Sequence, residues 1–403
     1  MKTKKIAIIG TVGLPANYGG FETLVSYLTK FLNSKYDLTV YCSGKKYPKD
    51  KRLKQYNDAK LIYLPLDANG AQSIPYDIIS IIHAVFYADV LLILGVPGAI
   101  ILPFVRWFTN KKIIISIDGI EWKRDKWGKY VKKYLRFCEK LAVKYSHVDI
   151  SDNEAIQDYT ATEYKTLSNV IEYGGNHTIR KGITQEYITK YPFLSSPYAF
   201  KVCRIEPENN IKMVLEGFSK NTALPLVIVG NWNNSEYGKS CKQEFSQFEH
   251  LHLLDPIYHQ ETLDVLRGNC RLYIHGHSAG GTNPSLVEAM YLERAIFCFD
   301  VSYNRATTEN KARYFSSSEQ LMELISNIDE TTLSELETQM KSIAERRYSW
   351  EIIANKYGYL IDKLAYKKVK GKISPSLSTA VQDSDLLQYE ISHYSSLDSI
   401  HNQ

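Results

Sequence analysis

The sequence predicts an α/β chain built as two doubly wound parallel sheets. Three observations carry that. Short runs that are apolar at consecutive positions alternate with helical patterns, as strands covered on both faces require. The alternation pauses near residue 190 and restarts near residue 198. The 403 residues also exceed what one typical core organises, so two domains are expected.

The elements follow in order. In the first half the candidate strands are "KIAIIG", "DLTVYCS", "KLIYLPL", "DVLLIL", "KKIIISID", "HVDISD" and "YKTLSNVIEYGG". Helical patterns lie between most of them, which implies βαβ units. In the second half they are "AFKVCRI", "LPLVIVGN", "LHLLDPI", "CRLYIHGH" and "AIFCFDV". The stretch around Tyr191–Pro197 has prolines and serines and reads as the linker. The expected domains are 1–190 and 198–348. A helix over 349–366 crosses back to the first domain, and a polar, Ser-rich tail occupies 367–403. Each sheet would offer its site at the carboxyl ends of its strands, facing a central cleft.

One segment competes with this plan. Val90–Phe108, "VLLILGVPGAIILPFVRWF", carries a single charge, Arg106, and is long enough to span a bilayer. Gly95, Pro97 and Gly98 break it in the middle. A strand, a turn and a buried helix fit better.

Composition narrows the function classes. Hydrophobic residues are 44% and charged residues 23%, close to globular averages, so most of the chain should fold. The net charge of +5 is too weak to argue for nucleic acid, and no nucleic-acid-binding module is present. The six cysteines, Cys42, Cys138, Cys203, Cys241, Cys270 and Cys298, form no CxxC pair or zinc spacing. They read as thiols in a reducing compartment. The first apolar run is too short for a signal-peptide core, so secretion is not expected.

Three strand-end motifs carry chemistry. The loop "GTVGLPANYGGFETLV", Gly10–Val25, has neither the dinucleotide spacing G-x-G-x-x-G nor the Gly-Lys-Ser/Thr of a P-loop. It delivers backbone amides to a helix start, suiting a phosphate or a sugar hydroxyl, or it is simply a turn needing glycine. The second motif is "IHGHSAGGTNPSLVEAM". Asn283 can cap a helix and Pro284 suits its first position. Amides from Thr282 to Leu286 could then hold phosphate oxygens, and Glu288, one turn on, suits a neutral diol such as ribose. His275 and His277 lack a third ligand, so no metal is expected. The third motif is "KVCRIEPENN", where Arg204 follows a strand. A guanidinium there can pair bidentately with a diphosphate, or form a surface ion pair.

Together these motifs resemble the family 4 glycosyltransferases of the GT-B fold, two Rossmann-like domains, over the chain up to about Leu364. With "SIDGIEWKRDKWGKYVKKYLRFCEKLAVKYSHVDISDNEAIQDY" they are similar to a branch that includes bacterial β-1,4-rhamnosyltransferases. Those enzymes extend lipid-linked sugars in capsule, exopolysaccharide and cell-wall polysaccharide assembly. The resemblance implies a retaining transferase that takes a nucleotide sugar and needs no metal or other cofactor. It places Arg204 on the donor diphosphate, Glu288 on the donor ribose, and Gly19 and Gly20 beside the donor phosphates or sugar. Arg204, Asp118 and Glu288 are the catalytic candidates. Asn209, His277, Gly280, Gly281, Thr282, Asn283, Pro284 and Ser285 complete the expected donor site. Two positions depart from the family: Asn209 stands where a Lys is common, and Gly280 where a Glu is common. Asp118 stands where a His is common. It could orient a sugar hydroxyl or the acceptor, or cap a helix.

Lys123–Lys144 holds nine basic and two acidic residues, a local balance of +7. Apolar residues recur through it at helical spacing. A basic amphipathic helix can lie on anionic lipid, or simply present a solvated face. Lys123, Arg124, Lys126, Trp127, Lys129, Lys132, Lys133 and Arg136 are the expected membrane-facing residues. The chain is expected at the cytoplasmic face of the inner membrane, peripherally bound, with a lipid-linked saccharide as acceptor.

Overall fold

The computed structural model describes residues 4–16, 19–117, 119–124, 127–220, 224–327 and 329–365. They form two compact units, one running to Tyr173 and resuming at Trp350, the other Gly174–Ser349.

The first unit holds an eight-stranded sheet: β1 (Lys5–Ile9), β2 (Asp37–Ser43), β3 (Gln55–Tyr56), β4 (Ala59–Leu64), β5 (Val90–Leu94), β6 (Lys112–Ser116), β7 (Val148–Ser151) and β8 (Asn169–Val170), in the order β3-β4-β2-β1-β5-β6-β7-β8. Every pairing is parallel except β3 with β4. Its helices are α1 (Gly20–Leu32), α2 (Ser73–Val85), α3 (Leu102–Phe108), α4 (Lys129–Tyr145) and α5 (Glu154–Tyr164). Alternate residues of β1 enter different cores: Ile6 and Ile8 on one face, Ala7 and Ile9 on the other. That is why its apolar run is continuous. The predicted strand "YKTLSNVIEYGG" shrinks to Asn169–Val170, because the short β7 offers partners only at Ile150 and Ser151.

The second unit holds an all-parallel six-stranded sheet: β9 (Ala199–Val202), β10 (Leu226–Val229), β11 (Leu251–Leu254), β12 (Leu272–His275), β13 (Ala295–Phe299) and β14 (Arg313–Phe315), in the order β11-β10-β9-β12-β13-β14. Its helices are α6 (Gln185–Lys190), α7 (Ile211–Ser219), α8 (Glu236–Phe245), α9 (Gln260–Gly268), α10 (Pro284–Tyr291), α11 (Ser302–Thr307), α12 (Ser318–Ser326) and α13 (Glu330–Arg347).

The division between units falls after Tyr173, earlier than the expected 190–198. Tyr187, Ile188, Tyr191, Phe193 and Leu194 pack into the core of the second unit, so the Pro- and Ser-containing stretch is a 3₁₀ turn, Pro192–Ser195, within that unit. The last helix, α14 (Trp350–Ala365), belongs to the first unit. Trp350 stacks on Tyr27 at 4.4 Å, and the Tyr36 hydroxyl donates to Gly358 O and Asp362 Oδ1. Lys356 pairs with the buried Glu172 at 2.6 Å. Each fully buried apolar side chain of α14 contributes roughly 1.5–3 kcal/mol. The expected tail over 367–403 lies outside the described residues.

In both sheets the chain winds outward from one strand and then restarts on its other side. The switch points lie between β1 and β5 and between β9 and β12. Ligands of such sheets bind at the carboxyl ends of the switch-point strands.

Candidate functional site

The second unit gathers three expected pieces at its switch point. Arg204 leaves the end of β9, and the 276–283 loop leaves the end of β12. The two loops are stitched together. Asn210 Nδ2 donates to Gly276 O at 2.9 Å, and the Ser278 amide donates to Glu208 O at 2.8 Å. Asn304 Nδ2 holds His277 O at 2.9 Å, and the Tyr303 hydroxyl holds Ser278 O. A loop fixed at so many points is a pre-formed wall.

Arg204 has a side chain 42% exposed, with Glu206 Oε1 3.8 Å from its guanidinium. Such a surface pair is weak, so the guanidinium remains available to an anion. Asn209 is buried, and its Nδ2 donates to Arg204 O at 2.6 Å. It braces the turn that carries Arg204 instead of facing a donor, contrary to its expected place.

Asn283 caps α10, its Oδ1 accepting from Ser285 N at 3.0 Å and Ser285 Oγ at 2.8 Å. The Leu286 amide donates to Asn283 O at 3.1 Å, and Pro284 has no amide hydrogen. The phosphate contacts expected at 284–286 are therefore taken up inside the helix start. Gly281, Thr282 and Asn283 form the remaining backbone of the wall. Gly280 has φ +122° with open space around it, a conformation L side chains rarely adopt. The fold itself thus accounts for Gly280 in place of a carboxylate.

Glu288, on α10, accepts a hydrogen bond from Arg267 of α9 and lies 3.1 Å from His177 Nε2. Burial alone would raise its pKa, but Arg267 and His177 outweigh that and hold it down at about 2. Arg267 is itself buried, with Asp264 at 3.9 Å. The site therefore contains a fixed carboxylate whose side chain is 16% exposed. Sequence reasoning missed Arg267 and His177. Neither sits in a local pattern; only packing of α9 and the segment after Tyr173 against α10 brings them to Glu288.

The rings of His275 and His277 stack at 4.4 Å. Among the described residues no group of three or more His, Cys, Asp or Glu side chains is placed to hold a metal ion.

In the first unit, Gly19 and Gly20 open α1 beside the carboxylate of Glu22. That carboxylate accepts from Thr11 Oγ1 at 2.9 Å and from the Val12 amide at 2.6 Å. A Cβ on Gly19, whose φ is +131°, would fall 1.8 Å from Glu22 Oε2. An internal carboxylate thus fills the helix start where a phosphate was one expectation. A neutral hydroxyl suits the position; a second anion does not. Asp118 lies outside the described residues.

The basic segment is also rearranged. A 3₁₀ turn, Glu121–Lys123, precedes α4. Trp127 is half-buried, its Nε1 donating to Glu121 at 2.9 Å, and Arg124 pairs with the same residue at 3.0 Å. Both are turned away from the lipid-facing role expected of them. Lys132 is half-buried, and Arg136 is exposed but paired with Glu163. Lys123, Lys129 and Lys133 are exposed, and Lys126 lies outside the described residues. Large apolar side chains are exposed within this segment, Tyr130 and Phe137 on α4, and on the helices before it, among them Ile82 and Phe86 at α2 and Phe104, Trp107 and Phe108 on α3. The α3 segment expected to be buried seats only Leu102, Pro103 and Val105 inward. No described helix is long and apolar enough to cross a membrane.

Comparison with known proteins follows the two-unit division. Residues 3–176 match the family described as "Domain of unknown function (DUF1972)", and residues 185–347 match "Glycosyl transferases group 1". No curated protein matches the chain. Among solved structures, sucrose-phosphate synthase from Thermosynechococcus elongatus is similar with a TM-score of 0.75 at 15% identity, over 90% of this chain and 99% of that one. HepE from Anabaena, in complex with UDP, gives 0.69 at 12% identity, over 90% and 100%. A glycosyltransferase from Rickettsia africae gives 0.68 at 12%, over 92% and 100%. By fold the chain is similar to GT-B glycosyltransferases, and residues 185–347, within its second unit, match the glycosyl transferases group 1 family.

Proposed function

We propose that the chain is a retaining glycosyltransferase that moves L-rhamnose from TDP-β-L-rhamnose onto a lipid-pyrophosphate-linked saccharide in bacterial surface-polysaccharide assembly. The observation that carries it is the available Arg204 guanidinium at the switch point, beside a braced loop and a fixed carboxylate. The second unit holds the donor. Arg204 meets the diphosphate, and its charge stabilises the departing nucleotide as the sugar–phosphate bond lengthens. Glu288 accepts from ribose hydroxyls. The departing phosphate takes the acceptor hydroxyl's proton on the same face, which retains configuration. The acceptor is received by the first unit, where the loop around Gly19 and Glu22 suits hydroxyl groups.

Transfer assayed with a panel of nucleotide sugars and a pyrophosphate-linked lipid sugar should select TDP-rhamnose, give a β linkage by NMR, and persist in chelator. An α product refutes retention, and loss of activity in chelator refutes metal independence. A UDP-hexose or UDP-N-acetylhexosamine donor is the second reading, favoured by the similar structure of HepE in complex with UDP-glucose. No transfer from any donor would favour a non-catalytic scaffold in the assembly complex.

The proposal includes peripheral binding to the cytoplasmic face of the inner membrane. Its support is the exposed apolar set of α2–α4. Trp107 of α3 meets Tyr145 of α4 edge-on at 5.7 Å, and Lys129, Lys133, Lys140 and Lys144 lie exposed on α4. Aromatic side chains entering lipid with lysines at the headgroups suit an anionic surface. Phe86 and Phe108 are 83% and 79% exposed. Replacing both with Ser should weaken co-sedimentation with phosphatidylglycerol vesicles about tenfold or more, while the melting temperature stays put. Unchanged sedimentation would remove these aromatics from the lipid contact.

A further inference from the structure

β9 and β12 pair only at Leu272 with Ala199 and Tyr273 with Phe200, and then part. Lys201 is the next residue on β9, at the fork. It is buried, and among the described residues its Nζ has no hydrogen-bond partner. A Cβ on Gly276 would fall 2.8 Å from that Nζ and 2.5 Å from Asn209 O. The amine therefore lies against the backbone where the Arg204 turn meets the 276–283 loop, and no side chain at 276 intervenes.

Taking an ammonium out of water without a counter-charge is costly. Its ionisable neighbours supply none. Burial pushes the Cys203 and Cys298 thiols up and so keeps them neutral. Burial and Lys201 itself hold the His275 imidazole well below its ordinary range. Burial likewise lowers the pKa of Lys201. An amine buried beneath a switch-point crevice with no hydrogen-bond partner among the described residues is placed to meet an anion bound there.

We propose that Lys201 is the second positive group for the donor diphosphate, acting through the Gly276 backbone from beneath the crevice while Arg204 acts from its rim. The inference rests on the donor site proposed above. It makes Lys201 a positioning residue of the phosphate end, with no part in binding the nucleoside. It also gives the chain a lysine for the diphosphate although position 209 has none.

The test compares wild type with Lys201→Met and Lys201→Gln in calorimetric titrations with UDP, UMP, TDP and TMP. Whichever diphosphate the wild type binds should lose about tenfold or more in affinity in both variants, with the matching monophosphate changed less than about twofold. Melting temperatures should hold or rise, because an unpaired buried polar group has been removed. Equal losses for diphosphate and monophosphate would show a structural role and overturn the inference. So would unchanged diphosphate affinity, or a lower melting temperature in both variants, which would reveal a partner for Lys201 in the free chain. If the wild type binds neither diphosphate, the donor-site reading fails and this inference falls with it.

Discussion

Arg204→Ala will melt with the wild type and lose transfer by about 10²- to 10³-fold in kcat/KM, the scale of removing one charge-stabilising group from a transferring centre. The two halves of that expectation have separate causes. Stability is spared because the Arg204 side chain is exposed and Glu206 stands 3.8 Å away, a pair worth little. Activity is lost because negative charge grows on the diphosphate as the sugar departs, and a braced cation meets it without reorganisation. Arg204→Lys should recover part of the rate, since it restores a charge but not the planar two-pronged contact. Steady-state kinetics beside a thermal melt decide it. Full activity in Arg204→Ala would remove this residue from the donor site.

Glu288→Gln will lower both transfer and stability. Its carboxylate balances the buried Arg267. Removing one partner of a buried pair costs up to about 3–5 kcal/mol, here reduced because Asp264 remains 3.9 Å from Arg267. The double variant Glu288→Gln, Arg267→Met should regain much of the stability and none of the transfer, separating fold from function. pH dependence gives an independent reading. The folded carboxyl titrates at about 2, whereas an unfolded one titrates at about 4.3. Its stabilisation is fully present above about pH 5 and disappears as pH falls toward about 2, amounting to roughly 3 kcal/mol. Wild type should therefore lose melting temperature more steeply over that window than Glu288→Gln. Parallel curves would mean that the carboxylate is not held by Arg267 in solution.

The strands were legible because a sheet buried on both faces demands unbroken apolar runs, and β1, β5 and β6 are such runs. Arg204 and the 276–288 segment were legible because strand ends in doubly wound sheets are where ligands sit. The partners of Glu288 were not. His177 lies 111 residues away in sequence and Arg267 lies 21, and single polar residues carry no period. The unit boundary was misplaced because prolines and serines mark a break in regular structure, not a change of core. β3 and β14 are too short to show a pattern. The exposure of Phe104, Trp107 and Phe108 was invisible for a related reason. An apolar run reads as interior until the fold shows which of its faces has something to pack against.

The place of α14 sets an order of assembly. Its Trp350, Ile353, Tyr357 and Leu360 complete a core otherwise drawn from residues up to Tyr173. During synthesis the ribosome emits that early part, then all of Gly174–Ser349, and only afterwards the helix that closes it. The second unit is contiguous and can fold as soon as it emerges. The first unit, started earlier, waits with an open apolar face through the whole translation of its neighbour. A ribosome stalled near residue 349 would thus hold one finished unit and one unfinished one, with the unfinished one exposed to chaperones.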